Sequence, residues 1–333
     1  MAFAHPIVVL AIRWARFDFF ESSMPNTEEP SQAPTHPLAP FLQPARRFIR
    51  TTVHRMPGPV AEFLLFGLKM AWSCLFGAGM LTLMIATHLW WPANSPVHRY
   101  DFLFAMAIVI QAVMLWTRLE SVAELKVIFL YHVTGTIMEI FKTHVGSWIY
   151  PEPSIFHIGG VPLFTGFMYG SVGSFIARAV RVFDMRFSHY PKPWVTWLLA
   201  VAIYINFFSH HFIWDLRNLL FVAIAAIYFR CFVYFRIDEK VHAMPFVLAG
   251  CLTSFFLWLA ENVGTFTHTW AYPGQGWHLV SIQKMGAWGL LLVISFVTVS
   301  LVIKPKLPDG EEERTGGYRL WLYRLKGMRA PSS

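Results

Sequence analysis

The sequence has little charge and little cysteine. Only 14% of its 333 residues are Asp, Glu, Lys or Arg, against roughly a quarter in soluble domains, so most of the chain is not composed to face water. Its three cysteines, Cys74, Cys231 and Cys251, sit in apolar runs without a C-x-x-C pair, which argues against a disulfide framework or a thiolate metal site. H-x-x-x-H and H-x-x-H-H are also missing. His211-x-x-x-Asp215 has helical spacing, but the remaining histidines come from separate segments, so neither a metal nor another cofactor is expected. A net charge of +8 is not gathered with stacking aromatics on a polar domain, and no nucleic-acid partner is expected.

What the chain does contain is apolar and aromatic: 56% hydrophobic residues and 17% Phe, Trp and Tyr. Eight runs are long enough to cross a bilayer as helices, over 63–90, 101–118, 124–142, 161–182, 193–212, 216–235, 245–264 and 280–303. The short polar turn between the second and third leaves a single re-entrant helix as the alternative. An all-α polytopic membrane protein is predicted. Basic residues support the count: 22 of the 27 Lys and Arg fall on one side if the N-terminus is cytoplasmic. Arg99, Lys142, Arg217 and Lys284 fall on the other. Such a bias obeys the positive-inside rule and predicts both termini inside a bacterial inner membrane.

Residues 1–61 read as a disordered cytoplasmic segment, Pro-rich and polar over 24–45, with Met24 as an alternative start. Residues 305–333 form a basic tail. Its stretch 318–326 suits either a short amphipathic helix on anionic lipid or a solvated tail.

Self-similarity divides the remainder. Residues 139–151 and 261–273 share E-x-x-x-T-x-x-x-x-W-x-Y-P without a gap, at an offset of 122. Four runs separate the copies, so the halves 62–185 and 186–304 are predicted to be parallel four-helix repeats, bringing Glu139 and Glu261 together. Trp and Pro at a helix end are ordinary interfacial markers. A glutamate two turns earlier in an apolar helix is not; there it costs roughly 2–3 kcal/mol and takes a partner or a function.

Other polar residues gather at the same depth. His132, Lys142, His144, His210, His211, Asp215 and Asn262 are candidates, with Trp148, Tyr150, Trp270, Tyr272 and Trp277 as an aromatic wall. A carboxylic acid among aromatic faces is suited to general acid–base work, and the rings stabilise a developing cation. Gly166, Gly170 and Ser174 form a small-residue stripe, predicted to serve close helix packing.

Several strings, among them Phe141-Lys-Thr-His-Val-Gly-Ser-Trp-Ile-Tyr-Pro, Gly159-Gly-Val-Pro-Leu-Phe-Thr-Gly-Phe-Met-Tyr and Ala260-Glu-Asn-Val-Gly-Thr-Phe, resemble the YoaT-like bacterial membrane proteins, a domain of unknown function. The resemblance covers roughly residues 60–305 and implies an inner-membrane location without an activity. A looser resemblance, in W-x-Y followed by Ile158-Gly-Gly-Val-Pro162, is to membrane-embedded carotenoid enzymes of the lycopene cyclase and hydratase type. The Pro-Glu-Glu of the cyclases is replaced by Pro162-Leu-Phe.

Three functions follow. The first is a non-redox acid–base enzyme acting on an isoprenoid or other lipid, with Glu139 and Glu261 as the pair. The second is a proton-coupled transporter, and the third a scaffold for a periplasmic partner. The inner halves of the runs offer little polarity beyond Gln111 and loop charges, which favours the one-sided enzyme site. The bilayer is the expected partner, and oligomeric state is left open.

Overall fold

The computed structural model describes Val53 and residues 56–238, 240–274 and 277–308. The Pro-rich N-terminal stretch, the alternative start at Met24 and the basic segment 318–326 lie outside these. Nine α-helices occur among the described residues: α1 (Gly58–Ser73), α2 (Leu75–Trp90), α3 (Arg99–Trp116), α4 (Val122–His144), α5 (Phe164–Val182), α6 (Pro193–Ser209), α7 (Arg217–Tyr228), α8 (Phe246–Phe266) and α9 (Ile282–Val302). They occupy the eight apolar runs, the first run being folded as α1 and α2, bent by 74°. By length and composition three helices, α3, α8 and α9, can cross a membrane, or four if the bent pair is one span.

The bend has local causes. Ser73 Oγ donates back to Lys69 O at 2.9 Å, a bond that competes with the helix ladder. The buried Arg178 guanidinium donates to the Trp72 carbonyl at 3.4 Å.

The sixth run departs from expectation. Instead of one helix over 216–235, α7 has 12 residues, a rise of about 18 Å and short of a bilayer core. The chain then enters a strand, β4 (Phe232–Ile237), paired antiparallel with β3 (Arg186–Ser188) and with β5 (Lys240–Pro245). Phe-Val-Tyr-Phe-Arg-Ile is aromatic and β-branched, which favours a strand. A short apolar run cannot reveal this by periodicity. A second hairpin joins β1 (His157–Ile158) to β2 (Val161–Pro162) through Gly159 and Gly160. Both have positive φ, as a two-residue hairpin turn requires.

Helices α4 and α5 form the central hairpin. The glycine stripe on α5 packs as predicted: a Cβ at Gly166 would meet His132 at 2.3 Å, and one at Gly170 would meet Ile128 at 3.0 Å. The third stripe member, Ser174, instead hydrogen-bonds Glu120 at 2.7 Å.

Polarity is distributed inside out. Trp90, Trp116, Phe129, Trp194, Leu198, Val222 and Phe256 are exposed, while Arg99, Asp101, Glu120, Glu124, Glu139, Lys142, Arg178 and Glu261 are buried. A surface this apolar suits lipid contact and supports membrane association. At the other end of the central hairpin, Gln111 and the loop charges are drawn inward. Glu120 from the α3–α4 turn and Arg178 of α5 form a fully buried ion pair at 3.3 Å. Gln111 also donates to Glu120, and Arg181 pairs with Glu124 at 2.9 Å. Glu120 looks like a loop charge in sequence, but its turn folds inward onto α5.

Candidate functional site

The repeated motif builds the same local structure twice. Helix α4 ends with Ser147 N–H on Lys142 O (2.9 Å) and Gly146 N–H on Thr143 O (3.1 Å). Helix α8 ends with Thr269 N–H on Gly264 O (3.0 Å) and His268 N–H on Thr265 O (3.1 Å). This is the Schellman arrangement, with a left-handed residue just past the helix. Gly146 fills it at φ 73° and His268 at φ 51°. The reversal turns each W-x-Y back over its own helix. Trp148 Nε1 then donates to Glu139 Oε2 at 2.6 Å and Tyr150 Oη at 2.5 Å. In the second copy, Trp270 Nε1 and Tyr272 Oη donate to Glu261 Oε1 at 3.1 and 2.7 Å.

The two copies also touch. Ile149 and Ala271, equivalent by the 122-residue offset, exchange both backbone hydrogen bonds at 2.9 Å. Both glutamates face one cavity of about 240 Å³. At roughly 30 Å³ per water this equals about eight waters, room for a headgroup, a short acid or the end of a chain.

The carboxylates differ in one respect. Glu139 is held on both oxygens, because Tyr169 Oη donates to Oε1 at 2.7 Å. Glu261 Oε2 receives no hydrogen bond from a described residue. Burial, reinforced by the adjacent carboxylates, holds the Tyr150 and Tyr272 hydroxyls well above the usual range. They remain protonated donors.

Trp148, Tyr150, Trp270, Tyr272, Lys142 and His210 line the cavity with the two glutamates. His211 is drawn to the rim, where Lys142 Nζ donates to its Nε2 at 2.8 Å. Burial, then the Lys142 charge, holds its imidazole below the usual range. His210 donates Nδ1–H to Asn206 O at 2.9 Å.

The other predicted residues lie outside the lining. His132 packs on Phe167, His144 is exposed and Trp277 packs on Phe266. Asn262 bonds Trp258 O and the Val280 N–H. Asp215 ties the α6–α7 turn through Asn206 and Arg217. Among the described residues no three His, Cys, Asp or Glu side chains are placed to hold a metal ion.

Sequence reasoning missed Tyr169, hidden in the glycine stripe, and did not place Arg217 and Lys284 at the site, although both line it. Their position on the sparsely basic side was the available signal.

The family described as "Protein of unknown function (DUF817)" matches residues 62–296. The chain is 38% identical over 257 residues to "Uncharacterized protein YoaT" of Bacillus subtilis (strain 168), covering 76% of this chain and 97% of that protein. No solved structure matches it.

Proposed function

The chain belongs to the DUF817 family, and we propose that it is a multi-pass inner-membrane protein with an acid–base site between two parallel repeats. Register supports the duplication: adding 122 to the residues of α2, α4 and α5 brings them over α6, α8 and α9, and the first part of α3 over α7, its remainder falling on β4. The mutual bonding of Ile149 and Ala271 is the self-complementary contact expected at a two-fold axis. In this reading the chain crosses the membrane eight times, α7 covering only part of the apolar depth, with both termini cytoplasmic and the cavity at the outer end.

The convergence of the two motif glutamates on one aromatic cavity carries the functional reading. Glu139, held by three donors, is a fixed carboxylate. Glu261 keeps Oε2 open and is the group that gives a proton to the substrate and takes one back. The substrate is a lipid or small amphiphile whose reacting group enters the cavity, and the chemistry is non-redox. Lipid and pigment extracts from a deletion strain should differ from wild type. A Glu261→Gln gene should fail to restore them, and Glu139→Gln should restore them only partly. An unchanged profile on deletion would sink this reading.

One observation favours a second reading, proton-coupled transport. The buried Glu120–Arg178 pair lies near the start of α4, and the 15 residues from Glu124 to Glu139 correspond to about 22 Å of helix. Polar groups therefore occur at both ends of the central hairpin. Proteoliposomes showing coupled proton flux with an unaltered lipid profile would favour transport.

A further inference from the structure

We propose that the cavity binds the anionic oxygen atoms of a phosphate group through Lys142, Arg217 and Lys284. This rests on the cavity being the working site. All three basic side chains line it, alongside Glu139 and Glu261. They are three of the four basic residues placed on the outer side by charge bias; the fourth, Arg99, is consumed by Glu152, Thr87, Thr269 and two backbone carbonyls.

Two of the three have no ion-pair partner among the described residues. Lys142, 4% exposed, spends one N–H on His211 and lies 4.0 Å from the Phe207 ring centre. It makes no ion pair with a described acid. Lys284 rests 4.7 Å over the Tyr272 ring and likewise has no carboxylate within salt-bridge distance among the described residues. Arg217 pairs with Asp215 at 3.2 Å. Lysines taken out of water beside one another repel, and such an arrangement persists where a bound anion offsets it.

Backbone dipoles point the same way. Arg217 opens α7 and Lys284 sits in the first turn of α9. Helix α9 has neither an acidic first turn nor a side-chain cap, whereas at the start of α7 Asp215 accepts the Arg217 N–H; both basic residues occupy positions where the helix dipole disfavours a cation. The positive end of the α9 dipole favours an anion. The cluster also breaks the two-fold relation. At the position equivalent to Lys142 stands Gly264, where a Cβ would collide with Trp270 at 2.0 Å. The cations are therefore gathered on one side of the cavity, and the anion fixes which way a substrate lies against Glu261.

The test uses the full-length protein in phosphatidylcholine nanodiscs. One arm measures equilibrium binding of radiolabelled inorganic phosphate. The other measures enrichment of phosphatidic acid from mixed phosphatidic acid and phosphatidylcholine. Saturable binding in either arm is expected, weakened about 10-fold or more by Lys142→Gln or Lys284→Gln, as for loss of a charge-assisted bond. Lys284→Arg should retain it, which keeps the test valid if a glutamine variant elutes as aggregate. Binding of inorganic phosphate identifies a water-borne anion, and enrichment of phosphatidic acid alone a lipid headgroup; both uphold the site. Equal binding by wild type and the Lys142→Gln/Lys284→Gln double variant in both arms overturns it. Glu261→Gln should keep anion binding. Anion binding alongside an unchanged lipid profile would therefore retire the acid–base reading and leave the phosphate site standing.

Discussion

Gly264→Ala should be the most damaging single-methyl change in α8. A Cβ there would stand 2.0 Å from Trp270 Cη2 and 2.1 Å from Cζ2, against an ordinary carbon separation of about 3.5–4.0 Å. The indole must retreat by about 1.5 Å. Its Nε1 already sits 3.1 Å from Glu261 Oε1, so this hydrogen bond breaks. Losing a bond to a charged group costs about 1.5–3 kcal/mol, and the overpacking about 1–3 kcal/mol. Replacing a helical glycine by alanine returns about 0.5–1 kcal/mol. The net loss is about 1.5–5.5 kcal/mol. Gly250 lies in the same helix with nothing within 4 Å of its Cβ position, so Gly250→Ala should gain about 0.5–1 kcal/mol. Unfolding of both variants by titration with a denaturing detergent, followed by far-ultraviolet circular dichroism, measures the gap, at least about 2 kcal/mol. Equal stability of the two, or a Gly264→Ala protein more stable than wild type, would refute the Trp270 seat.

At the end of α8, His268→Gly should stabilise the protein by about 1 kcal/mol, because only glycine takes the left-handed conformation without strain. Gly146→Ala at the equivalent end of α4 should destabilise it by a similar amount; the same titration reads both. Acidification should weaken the Lys142–His211 hydrogen bond. The folded imidazole has its proton affinity lowered, so the unfolded chain binds the proton first. The stability held by this contact is present above the ordinary histidine range, near pH 6.5, and is lost as pH falls below it. His211→Gln should flatten that part of a stability–pH profile, and an unaltered profile would show that another group controls it.

The central hairpin shows why sequence reading reached the motif but not the complete site. Glu139, Glu261 and their Trp and Tyr donors lie within 11 residues of one another in each copy, and a helix end with its reversal is a local structure. Tyr169, 30 residues from Glu139, reaches it only through the packing of α5 on α4. Glycines that permit this packing also mask the tyrosine among them. The strand β4 was hidden for a related reason: its first four residues, apolar and appended to a helical run, satisfy a length criterion whichever structure they adopt.

Composition determined the class of this protein by itself, since few charges and long apolar runs leave a bilayer as the medium that such a chain satisfies. The offset of 122 residues likewise announced a duplicated glutamate motif before any geometry. Tertiary structure alone decided that one carboxylate is saturated with donors and the other keeps an oxygen open. It also decided that three basic residues from α4, α7 and α9 share a cavity. These facts depend on which distant segments pack together. Side chains separated by dozens of residues acquire their chemistry from neighbours that periodicity and spacing do not encode.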